Sequence, residues 1–247
     1  MSKPLLICAL ATALTACGGQ TEKTAIPRTD ANGDLRYGGL VFKPCALGGD
    51  HGDSVEAQCA TLQAPENHDA PKAQKISLAV AMIPAKSQIQ SDPVVIIAGG
   101  PGQSMLDSYP MLHPALNDVR RNRNILLMDA RGTGASHLLQ CDEIVSLGEN
   151  ADDSDDPAKL RVLTERCRDR LAKTSDLRFY ATADHIRDLD LLRATIGVDR
   201  LNLAGISYGT RVAQQYAARY PEHTRTVTLD SIAPNTTANA RIVRGGT

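Results

Sequence analysis

Tryptophan is absent from this sequence, and the aromatic share is only 3%. Stacking platforms for bases or sugars would have to come from very few side chains, which argues against those ligands. Charge of either sign is not in excess: 27 Lys and Arg face 28 Asp and Glu, for a formal net charge of -1. No basic field therefore exists to hold phosphate backbones, which excludes nucleic acid as a partner, and no acidic surplus suggests a solvating tail. No C-x-x-C pair occurs and the six histidines are scattered, so the spacing of a zinc site is missing and no metal is expected. Internal repeats are lacking too. What is present, 42% hydrophobic and 22% charged residues, describes one ordinary globular domain.

Residues 5–14 form a short apolar run behind Lys3. The run is too short to span a bilayer as a stable helix and reads as a cleavable export signal. Leu14-Thr15-Ala16-Cys17 follows and resembles a bacterial lipobox. That resemblance implies a lipoprotein signal peptide over residues 1–16, cleavage before Cys17 and lipid attachment at its thiol; an ordinary secretory signal is the alternative. Either reading takes the protein out of the cytoplasm. Gly18 rather than Asp follows the cysteine, which in a Gram-negative cell favours the outer membrane over the periplasmic face of the inner one. The expected location is the cell envelope, with a lipid anchor as the membrane partner. Apart from Cys8 in the signal and Cys17, the cysteines are Cys45, Cys59, Cys141 and Cys167. An even number in an oxidising compartment predicts two disulfides. Sequence proximity favours Cys45 with Cys59 and Cys141 with Cys167, among the three connectivities that four cysteines allow.

Residues 17–36 are rich in Gly, Thr, Asp and Asn without an apolar period, the composition of a flexible tether, so the fold is expected to start near Tyr37. From there to Pro71, turn formers and two cysteines predict irregular or short β structure. Five strand-like runs follow: residues 76–83 (ISLAVAMI), 93–98 (PVVIIA), 124–129 (NILLMD), 201–204 (LNLA) and 226–229 (TVTL). PVVIIA is continuous and β-branched rather than alternating, as in a strand buried on both faces. Helical periodicity covers residues 158–173, 183–196 and 208–219, with Gly197 and Pro221 as stop signals. Strands alternating with helices predict an α/β fold, a mostly parallel sheet with helices on both faces. The acidic run 152–156 reads as a solvated loop or helix start.

Gly205-Ile206-Ser207-Tyr208-Gly209 matches G-x-S-x-G directly after a strand and before a helix. That context forces the serine onto a sharp turn, with glycines where side chains would clash, and aims its hydroxyl over a helix N-terminus. Ser207 is thus the candidate catalytic nucleophile. Ala98-Gly99-Gly100-Pro101-Gly102-Gln103-Ser104 follows PVVIIA. Such a turn can donate the backbone N–H of Gly100 to an oxyanion, beside the N–H of Tyr208. It lacks the Lys-Ser/Thr of a phosphate loop and the spacing of a dinucleotide fingerprint, and no cofactor is implied. Asp129-Ala130-Arg131-Gly132-Thr133-Gly134-Ala135-Ser136 closes the next strand, and Asp129 and Arg131 are expected to brace turns at the sheet edge.

These three motifs, in this order and followed by YPEHTRTVTLDSIAP, resemble the prolyl aminopeptidase and tripeptidyl aminopeptidase family of serine peptidases over about residues 90 to 234. Cys141-Asp142 is similar to the secreted tripeptidyl branch. The resemblance implies an α/β-hydrolase fold that cuts short N-terminal peptides through an acyl-enzyme, so the expected partner is a peptide or small acyl substrate. In that family the acid and the histidine follow the nucleophile, after a helical cap. Residues 37–247 would then be the N-terminal part of such a domain, C-terminally truncated and lacking the cap and final strands, with the catalytic Asp and His beyond residue 247 and the chain alone poorly stable and weakly active. His223 lies after Ser207 but in the Tyr220-Pro221-Glu222-His223 connection, the wrong edge of the sheet for a base, and Asp230 reads as structural. Two other functions fit the residues: an esterase or other acyl hydrolase, since this fold hosts many chemistries, and a non-catalytic envelope lipoprotein with a degenerate hydrolase fold.

Overall fold

A computed structural model describes residues 25–48, 54–87, 91–142 and 156–235. The expected signal peptide, the lipid site Cys17, the first part of the tether and residues 152–155 of the acidic run lie outside these. Among the described residues, strands β1 (Arg28–Thr29), β2 (Leu35–Tyr37), β3 (Leu40–Gly48), β4 (Ser54–Pro65) and β5 (Lys75–Ile83) come first. They are followed by β6 (Ser91–Ile97), β7 (Arg123–Met128), β8 (Leu201–Ile206) and β9 (Thr224–Asp230). All nine join one sheet in the order β1-β2-β3-β4-β5-β7-β6-β8-β9.

The sheet is mixed rather than mostly parallel. Strands β1 to β5 form an antiparallel meander whose last member pairs antiparallel with β7, while β7, β6, β8 and β9 run parallel. Strands β6, β7 and β8 of the parallel part match the sequence expectation because they are buried on both sides and therefore continuous in apolar residues, whereas β9 is largely exposed. The meander corrects that expectation. Residues expected to form irregular or short β structure form two long strands, because β3 and β4 alternate buried and exposed positions over much of their length, and their Ala, Gln and Lys content hides the pattern. The tether also ends earlier than expected. Arg28–Thr29 pairs with Leu35–Tyr37, and the Asp30 carboxylate closes the turn by accepting the N–H groups of Asn32 and Asp34 at 2.9 and 3.0 Å. Residues that look like linker composition are thus the tip of a hairpin.

The α-helices among the described residues are α1 (Met105–Leu112), α2 (Pro157–Leu171), α3 (Thr182–Ile196) and α4 (Tyr208–Arg219). On one face, Val95, Ile97, Leu126, Met128 and Leu203 pack against Ile186, Leu189 and Leu192 of α3 and Val212, Ala213 and Tyr216 of α4. On the other, Ile96, Ile125 and Leu127 meet Met105, Leu106 and Tyr109 of α1. Alternate residues of β6 and β7 feed opposite cores, which is why these strands tolerate no polar position in their middle. Both expected disulfides are present, Cys45–Cys59 across the β3–β4 hairpin and Cys141–Cys167 tying α2 to the segment after the second glycine motif. Among the described residues β9 is one edge of the sheet, and its Val227 is exposed.

Candidate functional site

Strand β8 and helix α4 meet at Ser207 with no intervening loop. The serine has φ 51° and ψ -116°, a conformation that L-residues avoid and that only a rigid surround maintains. That surround is visible. Its N–H donates to the Asp230 carbonyl at 2.8 Å, and its carbonyl accepts the N–H of Thr210 at 3.0 Å and the Thr210 hydroxyl at 2.6 Å. Neighbouring glycines are required by contact: a Cβ at Gly209 would overlap the carbonyl oxygens of Ile97 and Ala98, and one at Gly205 would overlap the Gly209 carbonyl. Ser207 itself is exposed, with its side chain free of any hydrogen bond among the described residues.

The turn after β6 lies against this bend. A Cβ on Gly99 would come within 3.2 Å of the Ser207 Cβ, so only a bare backbone passes comfortably there. Gly100 has φ 102°, a left-handed conformation that favours glycine. Tyr208, the first residue of α4, carries the second expected oxyanion N–H, and its hydroxyl is hydrogen-bonded to Thr182 at the start of α3. The two amide-bearing residues thus sit on separate segments, the turn after β6 and the first residue of α4, and the helix N-terminus adds positive potential beside the serine.

Asp129 holds the turns in place. Its carboxylate accepts the N–H groups of Met105 and Leu106 at 2.7 and 3.1 Å and the Ser104 hydroxyl at 3.0 Å, all from the N-terminus of α1. Its other oxygen accepts the N–H of Ala135 at 3.1 Å, and Gly134 is the residue whose Cβ would strike this carboxylate. Arg131 points the other way, into a buried pairing with Asp188 and the backbone carbonyls of Glu66 and Phe179. Both residues brace turns, as their place in the motif predicts.

The described histidines are distributed around the site, and none is hydrogen-bonded to Ser207. His223 pairs through Nδ1 with Asp190 at 2.7 Å, a His–Asp couple, but it precedes β9 at the end opposite Ser207, roughly 20 Å of strand away at the usual rise. Asp190 also accepts from Arg193 and Tyr216; burial opposes its ionisation, yet these partners keep its carboxyl below the usual range. Asp230 accepts the Ser207 N–H through its backbone, and its carboxylate meets Ser231. His185 escaped the sequence reading. It lies in α3 beneath Gly99, Gln103 and Tyr208, beside a cavity of about 30 Å³. Burial pushes its pKa down to about 4, and its Nδ1 meets no hydrogen-bond partner among the described residues. Its position on the apolar face of a helix gives no sequence signal beyond core packing.

Residues 92–244 match the model of the alpha/beta hydrolase fold family. The chain is similar to the serine protease Hip1 of Mycobacterium tuberculosis, 29% identical over 200 residues, which cover 72% of this chain and 36% of that protein. It is equally similar to the tripeptidyl aminopeptidase of Streptomyces coelicolor, 29% identical over 211 residues, covering 78% of this chain and 38% of the relative. Carboxylesterase B of Mycobacterium tuberculosis is 32% identical over 187 residues, covering 70% and 36%. The chain spans little more than a third of the length of these curated relatives.

Proposed function

This chain belongs to the alpha/beta hydrolase fold family, and from that premise we propose that it is a serine hydrolase of the peptidase type with Ser207 as nucleophile. The observation that carries the reading is the strained, exposed serine held between two sterically required glycines, with the Gly99–Gly100 turn packed against it. Ser207 Oγ attacks the carbonyl carbon of the scissile bond. The N–H groups of Gly100 and Tyr208 stabilise the oxygen as negative charge develops, and the amine leaves to give an acyl-enzyme that water hydrolyses. The serine proton requires a base. The family resemblance implies a histidine that follows the nucleophile in the chain for this role; His223 stands at the end of β9 opposite Ser207 and does not fill it.

Similarity to a serine protease and to a tripeptidyl aminopeptidase supports peptides as substrates, with release of short N-terminal fragments as the specific form. The 32% identity with a carboxylesterase favours a second reading, ester hydrolysis on the same serine. We place the protein in the cell envelope, anchored through Cys17. Two disulfides support export, since such bonds persist in oxidising compartments.

The test is hydrolysis of tripeptidyl and aminoacyl p-nitroanilides against short-chain p-nitrophenyl esters, with Ser207→Ala as control. Preference for the anilides that vanishes in the variant supports the peptidase. Turnover of esters alone moves the assignment to an esterase, and turnover that survives the substitution removes Ser207 from the chemistry.

A further inference from the structure

An apolar recess of about 110 Å³ opens on the α1 side of the Ser207 bend. Met105, Met111 and Leu112 of α1 and Ile206 of β8 form its walls, with Gly99 and Gln103 of the glycine turn at its rim. Its relation to the serine is direct. Ile206 precedes Ser207 in the chain, and Gly99 packs close enough that its missing side chain is what leaves room for the Ser207 Cβ. No charged side chain lines it, and its one hydroxyl, that of Ser108, is engaged with the Ser104 carbonyl at 2.6 Å. The lining therefore has little to offer a charged or strongly hydrated group, whose desolvation would go uncompensated.

We propose that this recess is the binding site for an unbranched or singly branched aliphatic group on the acyl side of the scissile bond. This assignment rests on Ser207 being the nucleophile. The leaving amine must depart to solvent after the first bond breaks, whereas the acyl part stays attached to the serine, so a recessed wall beside the nucleophile suits the acyl part. Size sets the class: at about 30 Å³ for each water-sized unit, the recess takes about four carbon atoms. Two methionines in the wall supply a polarizable, adaptable lining that accepts more than one shape of chain. The expected preference is for acyl groups with a small aliphatic side chain, with acidic and basic side chains rejected.

Alkyl fluorophosphonates test the recess separately from the rest of substrate recognition. In this reaction the Ser207 Oγ–P bond forms as the P–F bond breaks, fluoride leaves with the electron pair and the hydroxyl proton passes to solvent or base. The alkyl group on phosphorus occupies the acyl position. Methyl, propyl, butyl and octyl members are compared on the purified full chain, with modification of Ser207 read by peptide mass spectrometry. The labelling rate is expected to rise about fourfold per methylene up to butyl and to level off at octyl. Met111 is 70% exposed, so enlarging it at the mouth leaves the core undisturbed. Met111→Trp is expected to bring the butyl-to-methyl rate ratio near one. Equal rates along the series, or a ratio unmoved by Met111→Trp while Ser207 is still labelled, overturns the recess. No labelling of Ser207 by any member overturns the nucleophile assignment, and the recess falls with it.

Discussion

The guanidinium of Arg131 donates from Nε and Nη2 to the two carboxylate oxygens of Asp188, at 2.7 and 2.6 Å, with both side chains sealed from solvent. This pair joins the second glycine motif to the middle of α3. Removing one partner breaks a buried ion pair and leaves Asp188 with only His68, or Arg131 with His68 and backbone carbonyls, a loss of about 3–5 kcal/mol. Asp188→Asn and Arg131→Met are each expected to lose that much in urea unfolding followed by circular dichroism. The double variant Arg131→Met/Asp188→Leu is expected to recover part of the loss. A single variant within about 1 kcal/mol of the parent would show that the pair is solvated in the working protein.

Gly209 packs under the carbonyls of Ile97 and Ala98, so Gly209→Ala must push the α4 N-terminus off β6. Overpacking of that kind costs about 1–3 kcal/mol. Because the displaced element carries the Tyr208 amide, labelling of Ser207 by a fluorophosphonate is expected to fall more than stability does. Unchanged labelling in a folded Gly209→Ala protein contradicts the close packing described here.

Backbone strain at Ser207 separates two variants that both remove the hydroxyl. Ser207→Ala keeps a Cβ at φ 51° and is expected to unfold at the same urea concentration as the parent. Ser207→Gly releases the strain and is expected to gain about 1 kcal/mol, while neither variant reacts with the phosphonate. Equal stability of the two variants would mean that the bend is relaxed.

His185 gives the fold a pH dependence with a defined sign. Burial lowers its folded pKa to about 4 from an ordinary value of 6.5. Between these limits the unfolded chain binds a proton that the folded one does not, so stability falls as pH drops through that window. A displacement of this size corresponds to roughly 3 kcal/mol. Equilibrium unfolding at pH 7, 5.5 and 4.5 is expected to show the decline, and His185→Leu to flatten it. A variant with the parent's slope assigns the acid sensitivity to other groups.

Legibility of the fold followed the reach of each interaction along the chain. The strands β6, β7 and β8 were readable because burial on both faces leaves a continuous apolar run, and the Ser207 bend was readable because its requirements fall within five consecutive residues. Helix α1 gave no clear period: it has eight residues, carries Pro110 within it, and runs into a further turn at His113–Leu116. The β3–β4 hairpin was disguised by weak strand formers at its exposed positions. Asp188 as the partner of Arg131, the burial of His185 and the apolar recess arise from segments distant in sequence. Their residue types carry no local mark of the neighbours that folding brings.

Asp129 sets a limit on how this region can move. One carboxylate receives amides from both α1 and the turn after β7, so neither glycine-rich turn can swing away without leaving a buried acceptor unpaired. The two turns are accordingly locked to each other, and any group that reaches Ser207 meets them as a fixed threshold rather than as a gate.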